Sequence, residues 1–238
     1  RSFFLANKVL TDHLPEGVDG FFGEAVCNHT ATQKLSRHVH IHFTALEPAL
    51  MPAEAYLREQ SAQGRVGCVM GFRLDRDEAR EQWVPGVYRE AVRELLAPMG
   101  LERTLREGSV PLPEGVGAWA VERFDSAGVI RGRVLQPGQG LVAQLAAYEQ
   151  PQEGRTPALV QIFADLGQAW APALILALRQ RGYSLGGVLP GWFGSDGLLM
   201  QKHFVDPDFS GLNLLPGPIE ALRDRVRADW EEAFGGQR

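Results

Sequence analysis

The clearest pattern of apolar and polar positions lies in residues 157–204. Leu159–Phe163 is an apolar run of strand length. A helical period follows, and two further strand-like runs, Tyr183–Leu189 and Leu198–Phe204, are separated by a glycine-rich turn. The apolar positions of the helix recur at i, i+3 and i+4 and are Ala169, Trp170, Ala173, Leu174, Ala177 and Leu178. This stretch therefore predicts strand, helix, strand, turn and strand.

The segment directly upstream predicts a hairpin and a helix. Ala118–Phe124 and Val129–Leu135 flank the turn-forming residues 125–128. A Gly-rich pentapeptide, residues 136–140, then leads into an apolar helix, Leu141–Glu149. A strand, a glycine-rich turn and a helix N-terminus in this order can present backbone N–H groups to a pyrophosphate. A plain turn before a helix is the alternative explanation, because short glycine motifs are weak signals.

The N-terminal half predicts a similar alternation of elements. The predicted helices are Ser2–Leu14, a short one near Asn28–Lys34, a turn or two over Ala53–Gln60, and an amphipathic helix from Val84 to Met99. The predicted strands are Phe21–Cys27, His38–Thr44 and Arg65–Leu74. We expect loops over Leu46–Pro52 and Pro207–Pro218, and a final charged helix over Ile219–Phe234.

The breaks in these patterns predict two modules. Three Gly or Pro clusters make Thr104–Gly117 a connector. We therefore predict a first module over residues 1–105, a second over 112–205, and a C-terminal loop and helix over 206–238. Both modules share the order helix, strand, short helix, strand, turn and strand, so an internal duplication is a hypothesis from element order alone.

Two stretches resemble the GNAT N-acetyltransferase superfamily. Leu178–Tyr183 leading into Gly194–Lys202 is similar to the helix, Gly-aromatic pair and closing hairpin of that fold. Glu24–Gln33 is similar to a strand-to-helix segment of GNAT-like domains in multidomain bacterial proteins. The resemblance implies an α/β (α+β) fold with a GNAT-like mixed sheet flanked by helices, present as one module or as two. Because the family's first strands have no counterpart before residue 1, we expect the first module to be incomplete at its N-terminus.

The resemblance also implies an activity. It implies an acyl-CoA-dependent acyltransferase, most simply an N-acetyltransferase, that uses acetyl-CoA or another acyl-CoA and a small-molecule or protein amine. The cofactor would be held by Gln136, Gly138, Gln139 and Gly140, although the spacing is one residue short of the family loop and Pro137 removes a donor. His29 would act as the general base. Leu178 stands where the family often has its tyrosine acid, so a non-catalytic ligand- or protein-binding module of a larger regulatory protein is the alternative.

Composition narrows the class of protein. The 238 residues are 45% hydrophobic and 22% charged, which is ordinary for a globular protein with a real core. The net charge of −5 is spread without a basic block, which argues against a nucleic-acid partner. No apolar run reaches the length of a membrane span. Two cysteines outside any CxxC pattern favour the cytoplasm. A homo-oligomer or a fusion to another domain is compatible with all of this.

Three other groups of residues could carry chemistry. His38, His40 and His42 alternate on the predicted strand and could hold Zn²⁺ in a metal hydrolase, although same-face side chains about 7 Å apart converge poorly on one ion. Cys27 and His29 could form a pair in which the histidine activates the cysteine thiolate, but Cys27 could equally be a buried apolar residue. The aromatic side chains that cluster in sequence line either a ligand pocket or the core; they are Trp170, Tyr183, Trp192 and Phe193.

Overall fold

The computed structural model describes residues 17–56, 64–108, 110–151 and 154–235. The strands in this part of the chain are β1 Gly20–Val26, β2 His42–Pro52, β3 Arg65–Leu74, β4 Arg80–Trp83, β5 Arg103–Arg106, β6 Ala118–Phe124, β7 Val129–Gln136, β8 Leu159–Asp165, β9 Ser184–Leu189 and β10 Gly197–His203. The α-helices are α1 Ala31–His38, α2 Gly86–Leu96, α3 Leu141–Glu149, α4 Ala171–Gln180 and α5 Pro218–Gly235. Short 3-10 turns lie at Ala53–Tyr56 and Ala97–Met99.

Eight strands form one mixed sheet in the order β1-β3-β2-β9-β10-β8-β7-β6. All neighbours are antiparallel except β7 and β8. The sheet curls strongly, because Arg131 on β7 reaches Glu24 on β1 although five strands separate them in the sheet order. The α/β (α+β) class expected from the sequence is confirmed by this curled sheet and its flanking helices.

The sheet contains the same four-element unit twice. The first unit, β1-α1-β2-β3, spans residues 20–74 and has the strand order β1-β3-β2. The second unit, β8-α4-β9-β10, spans residues 159–203 and has the equivalent order β8-β10-β9. This arrangement supports the duplication hypothesis with topology as well as element order. The two units belong to one continuous sheet.

The two units join where β2 runs antiparallel to β9. Their only paired residues are Ala45 and Gly187. Gly187 has a φ of 138°, and a Cβ there would lie 2.3 Å from the carbonyl oxygen of Thr44. Only glycine allows the two backbones to approach this closely. The Thr44 hydroxyl donates to the carbonyl of Val188 at 2.7 Å and reinforces the join.

Alternation along the strands separates an outer from an inner face of the sheet. On the outer face, α2, α3 and α4 bury Val160, Ile162 and other apolar side chains of the second unit. The helix α5 covers the outer face of the first unit. The inner face is apolar at both ends, and between these ends lie Glu47, Arg131 and Gln161. The candidate site lies on this inner face.

Two sequence predictions in the first module are wrong. His38 ends α1, and His40 adopts a left-handed conformation with φ 60°, so β2 begins only at His42. The three histidines therefore do not share a strand face. The predicted loop Leu46–Pro52 is instead the second half of β2, where register shifts allow Glu47 and Pro48 within a paired strand.

The predicted connector Thr104–Gly117 contains most of a strand that the pattern did not predict, because its glycines and prolines indicated a loop. Arg103–Arg106 forms β5 and pairs in parallel with β4. Prediction and structure agree for Arg65–Leu74, the hairpin Ala118–Phe124 with Val129–Leu135, and α3. The predicted helix Ser2–Leu14 lies outside the described residues, and so does the second half of Ala53–Gln60.

Candidate functional site

The loop of residues 136–140 lies where two parallel strands separate. The pairing of β7 with β8 runs from Val129 opposite Leu159 to Arg133 opposite Phe163. Beyond that point β7 stays with β6 and β8 stays with β10. The loop continues from the end of β7 and leads into α3. A gap between parallel strands, with a helix N-terminus at its open end, is a common place for a ligand.

Two of the loop amides already have acceptors within the chain. The Gln139 N–H donates to the Pro113 carbonyl at 2.9 Å, and the Gly140 N–H donates to the Gly115 carbonyl at 3.0 Å. A Cβ on Gly138 would lie 2.4 Å from the Gly117 nitrogen. The glycines of the loop therefore allow close packing against residues 113–117. In this structure those two amides cannot also bind a phosphate.

The helix after the loop keeps some capacity to bind an anion. No side chain caps the N-terminus of α3, and its first turn contains no acidic residue. The positive end of the helix dipole is thus not neutralised by the helix itself. The loop and helix fit a pyrophosphate in part, through the helix N-terminus and not through the amides of Gln139 and Gly140.

His29 and this loop lie at opposite ends of the inner face. Val26 of β1 and Val129 of β7 line the same cavity. From there the chain continues through Val26 to His29, whereas β7 runs the other way, through Arg133 to the loop. The ring Nδ1 of His29 is buried and has no hydrogen-bond partner among the described residues. The structure does not bring the predicted base and the predicted cofactor loop together.

Leu178 stands where the GNAT resemblance expects a tyrosine acid, and neither Tyr88 nor Tyr183 is free to replace it. Leu178 is wholly buried in the outer core. Tyr183 donates to Glu149, and Tyr88 lies between Arg179 and Asp229. Burial is the main cause that raises the pKa of both phenols. Both tyrosines therefore serve the packing of helices on the outer face.

A charged network that the sequence did not predict lies at the centre of the inner face. Arg131 donates through Nη2 to Glu47 Oε1 at 2.8 Å and through Nε to Gln161 Oε1 at 2.9 Å. Gln161 Nε2 donates to the same Glu47 oxygen at 2.8 Å. Glu24 completes the network from β1, 3.4 Å from Arg131 Nη2. The network thus connects β1, β2, β7 and β8 across the curl of the sheet.

Glu47 is the most perturbed carboxyl in this network. Its side chain has 0% exposure, and burial raises its pKa from 4.5 to about 7 although Arg131 opposes the change. Its second oxygen, Oε2, accepts no hydrogen bond from the described residues. Arg131 also lies over the rings of Phe124 and Phe163, at 5.5 and 5.9 Å from their centroids. The guanidinium is held on one side by carboxyls and on its faces by aromatic rings.

A cavity of about 340 Å³ opens beside the network. Most of its wall is apolar, from the ends of β1 and β2, from β3, and from the β6–β7 hairpin. The lining residues are Glu24, Val26, Leu50, Met51, Cys68, Phe124, Ser126, Ala127, Val129 and Arg131. The volume and the few polar groups are typical of a small-molecule site.

The cysteines show no sign of nucleophilic activation. Cys27 and Cys68 are both buried and free. Burial raises the pKa of Cys27 to about 12 and raises that of Cys68 further. A thiol in this state carries almost no thiolate near neutral pH. The structure therefore favours the buried apolar interpretation of Cys27 over a Cys27–His29 pair.

The predicted aromatic cluster divides between two places. Tyr183 and Trp170 belong to the outer core. Trp192 instead stacks on Phe163, with ring centroids 5.5 Å apart, and contacts Phe22 edge-on at 4.9 Å. Trp192 and Phe22 line one wall of a second cavity of about 430 Å³ at the other end of the inner face. The turn that carries Trp192 is fixed by Asp196, which accepts from the Gly191 N–H at 2.9 Å.

The histidine hypothesis for a metal finds no geometric support. Within the described ranges no three His, Cys, Asp or Glu side chains come close enough to share an ion. Of the three histidines in this hypothesis, only His42 lies on a strand, and burial lowers its pKa. No helix in the described part of the chain is both long and apolar enough to cross a bilayer.

Searches of the chain against protein-family models, curated proteins and solved structures found no match.

Proposed function

We propose that the chain is an acyl-CoA-dependent N-acyltransferase with the acyl-CoA bound at the open end of the β7–β8 pair. The observation that carries this proposal is the separation of these parallel strands beyond Arg133 and Phe163, with the loop 136–140 and the uncapped α3 at the gap. The strand order β6-β7-β8-β10-β9 supports it by analogy with the GNAT fold. Acetyl-CoA or a longer acyl-CoA would be the donor, and a small-molecule or protein amine the acceptor.

In this proposal the chain contributes orientation and electrostatics. The N-terminus of α3 would hold the pyrophosphate, and the backbone of β7 that faces the gap would orient the thioester arm. The neutral amine attacks the thioester carbon, and backbone N–H groups stabilise the charge that develops on its oxygen. The C–S bond then breaks, and the proton lost from the amine nitrogen passes through solvent to the departing CoA thiolate. Two free, buried cysteines are compatible with a cytoplasmic location for this activity.

A non-catalytic binding module is the second candidate. Two observations favour it: the amides of Gln139 and Gly140 are held by residues 113–117, and Leu178 fills the position of the family's acid. In that case the module would bind a ligand or a protein within a larger regulatory chain. The two candidates differ in turnover and agree in ligand binding, so they require separate measurements.

Calorimetric titration of the chain with acetyl-CoA, a longer acyl-CoA and CoA tests binding. Ala143 is exposed in the first turn of α3, so Ala143→Glu adds a carboxylate where the helix dipole favours it and where a pyrophosphate would be repelled. We expect this variant to fold normally and to bind acyl-CoA at least about tenfold more weakly. Ala143→Gln controls for size, and Ala146→Glu controls for charge one turn further along.

Release of free CoA from acyl-CoA in the presence of a panel of amines tests whether the chain transfers the acyl group. The buried cysteines of the chain give little background in such an assay. Binding with thiol release supports the acyltransferase, and binding without release supports the non-catalytic module. An absence of heat with every acyl-CoA, or equal affinity in wild type and Ala143→Glu, would contradict the proposed site.

A further inference from the structure

The cavity beside Arg131 contains two charged groups whose binding capacity is only partly used. Arg131 donates through Nε and Nη2, while its Nη1 makes no hydrogen bond within the described residues. Within the described residues, the Glu24 carboxylate accepts one hydrogen bond, from Arg131 at 3.4 Å, which is longer than the usual 2.7–2.9 Å of a charge-assisted hydrogen bond. Both residues line the cavity. A guanidinium edge with an unused donor and a carboxylate with one long hydrogen bond thus lie side by side.

The cavity is lined by charges of both signs, which restricts the ligand. Glu24 and Arg131 line it, and Glu47 contacts Arg131 from behind. Arg65 lies behind the other wall, where it donates to the carbonyls of Leu50 and Ala127 at 2.7 and 2.6 Å. The cavity wall thus presents one carboxylate, Glu24, and one guanidinium group, Arg131, to a ligand. A zwitterion can pair with both, whereas a ligand with a single charge leaves one of them unpaired.

The rest of the cavity wall favours an apolar group on the ligand. Val26, Leu50, Met51 and Val129 are aliphatic, and Phe124 presents a ring. Burial of an apolar side chain against them would contribute roughly 25 cal/mol for each Å² removed from water. The cavity volume of about 340 Å³ is enough for a molecule of the size of an amino acid.

We propose that this cavity binds an apolar α-amino acid, with its carboxylate on Arg131 Nη1, its ammonium group on Glu24 and its side chain against the aliphatic wall. Glu47 and Gln161 are positioning residues in this site, because they hold the guanidinium by its Nη2 and Nε atoms. The proposal does not depend on acyl transfer, since the loop 136–140 lies at the other end of β7. It gives a ligand class to the inner face of the sheet in either candidate function.

The test is a calorimetric titration of the full chain with L-phenylalanine and two analogues. Phenethylamine lacks the carboxylate, and 3-phenylpropanoate lacks the ammonium group. We expect L-phenylalanine to bind at least about tenfold more tightly than either, because each lost charge removes one charge-assisted hydrogen bond. Glu24→Gln should weaken L-phenylalanine and phenethylamine and leave 3-phenylpropanoate unchanged.

Three control variants separate binding from folding. Glu102→Gln makes the same change of charge at an exposed residue outside the cavity. Ser126 is exposed at the cavity mouth, so Ser126→Trp should block all three compounds while Ser126→Ala should not. The proposal is overturned if either analogue binds as tightly as L-phenylalanine, if Glu24→Gln has no effect, or if no compound binds in the millimolar range.

Discussion

Replacement of Arg131 by Met tests the charged network of the inner face. The substitution keeps the apolar stem of the side chain and removes the guanidinium cation that Glu47 contacts at 2.8 Å. Glu47 has 0% exposure, and an ionised carboxylate left there without a partner would cost several kcal/mol. We therefore expect Glu47 to stay protonated in Arg131→Met over the accessible range of pH.

The pH dependence of this effect follows from the pKa of Glu47. That pKa is raised from 4.5 to about 7 in the folded state, so the folded protein holds the proton more firmly than the unfolded chain. The contribution of Glu47 to the free energy of unfolding is therefore full below pH 4.5, falls as the pH rises to 7 and then levels off. In Arg131→Met the fall continues above pH 7, at about 1.4 kcal/mol for each pH unit. The variant should thus lose about 1 kcal/mol more at pH 8 than at pH 6, and about 3 kcal/mol more at pH 9.

Urea unfolding followed by tryptophan fluorescence at pH 6, 8 and 9 measures these differences. Arg133→Met is the matched control, because Arg133 points to the same face of the same strand but is exposed. That variant should stay within about 0.5 kcal/mol of wild type at all three pH values. A loss in Arg131→Met that does not grow with pH would refute the assigned pairing of Arg131 with Glu47.

Three further predictions concern the scaffold around the site. Asp196 is wholly buried against Arg103, so Asp196→Asn should lower the free energy of unfolding by about 3 kcal/mol. Asp206→Asn on the surface should change it little. Equal melting temperatures of the two variants would contradict this. In urea unfolding, Leu178→Ala should lower the free energy of unfolding by about 2–5 kcal/mol. Leu176→Ala, at a position with 41% exposure on the same helix, should lower it by less than about 1 kcal/mol. Similar losses in the two variants would mean that α4 packs differently. The two cysteine thiols, whose pKa values burial raises, should react with a thiol reagent only after unfolding; fast labelling of the native chain would show that one of them is accessible.

The second unit was predictable because each of its elements carries a local pattern. The apolar run Leu159–Phe163, the helical period before Gly182 and the glycine turn before Leu198 all agree with β8, α4 and β10. Where a local pattern was compatible with two structures, no residue nearby decided between them. The alternation His38–Thr44 also suits a helix end followed by a turn, and the left-handed residue His40 decides between them.

The charged network was not predictable for a different reason. Gln161 and Arg131 are isolated polar residues within strand-like segments. Glu47 lies in a segment that Pro48 and Pro52 led us to predict as a loop. Their period-two positions were the available signal, since a polar residue at an inward position of a strand needs a partner. The partners come from β1, β2, β7 and β8, and only the curl of the sheet brings these strands together.

The join between β2 and β9 has a consequence for the history of the chain. It pairs the second strand of one unit with the second strand of the other, and the two run antiparallel. An antiparallel contact between equivalent strands is the isologous contact of a two-fold symmetric homodimer. The chain thus holds within one polypeptide the geometry that two separate subunits would use. A fragment limited to either unit would expose that edge, and its best complement would be a second copy of itself.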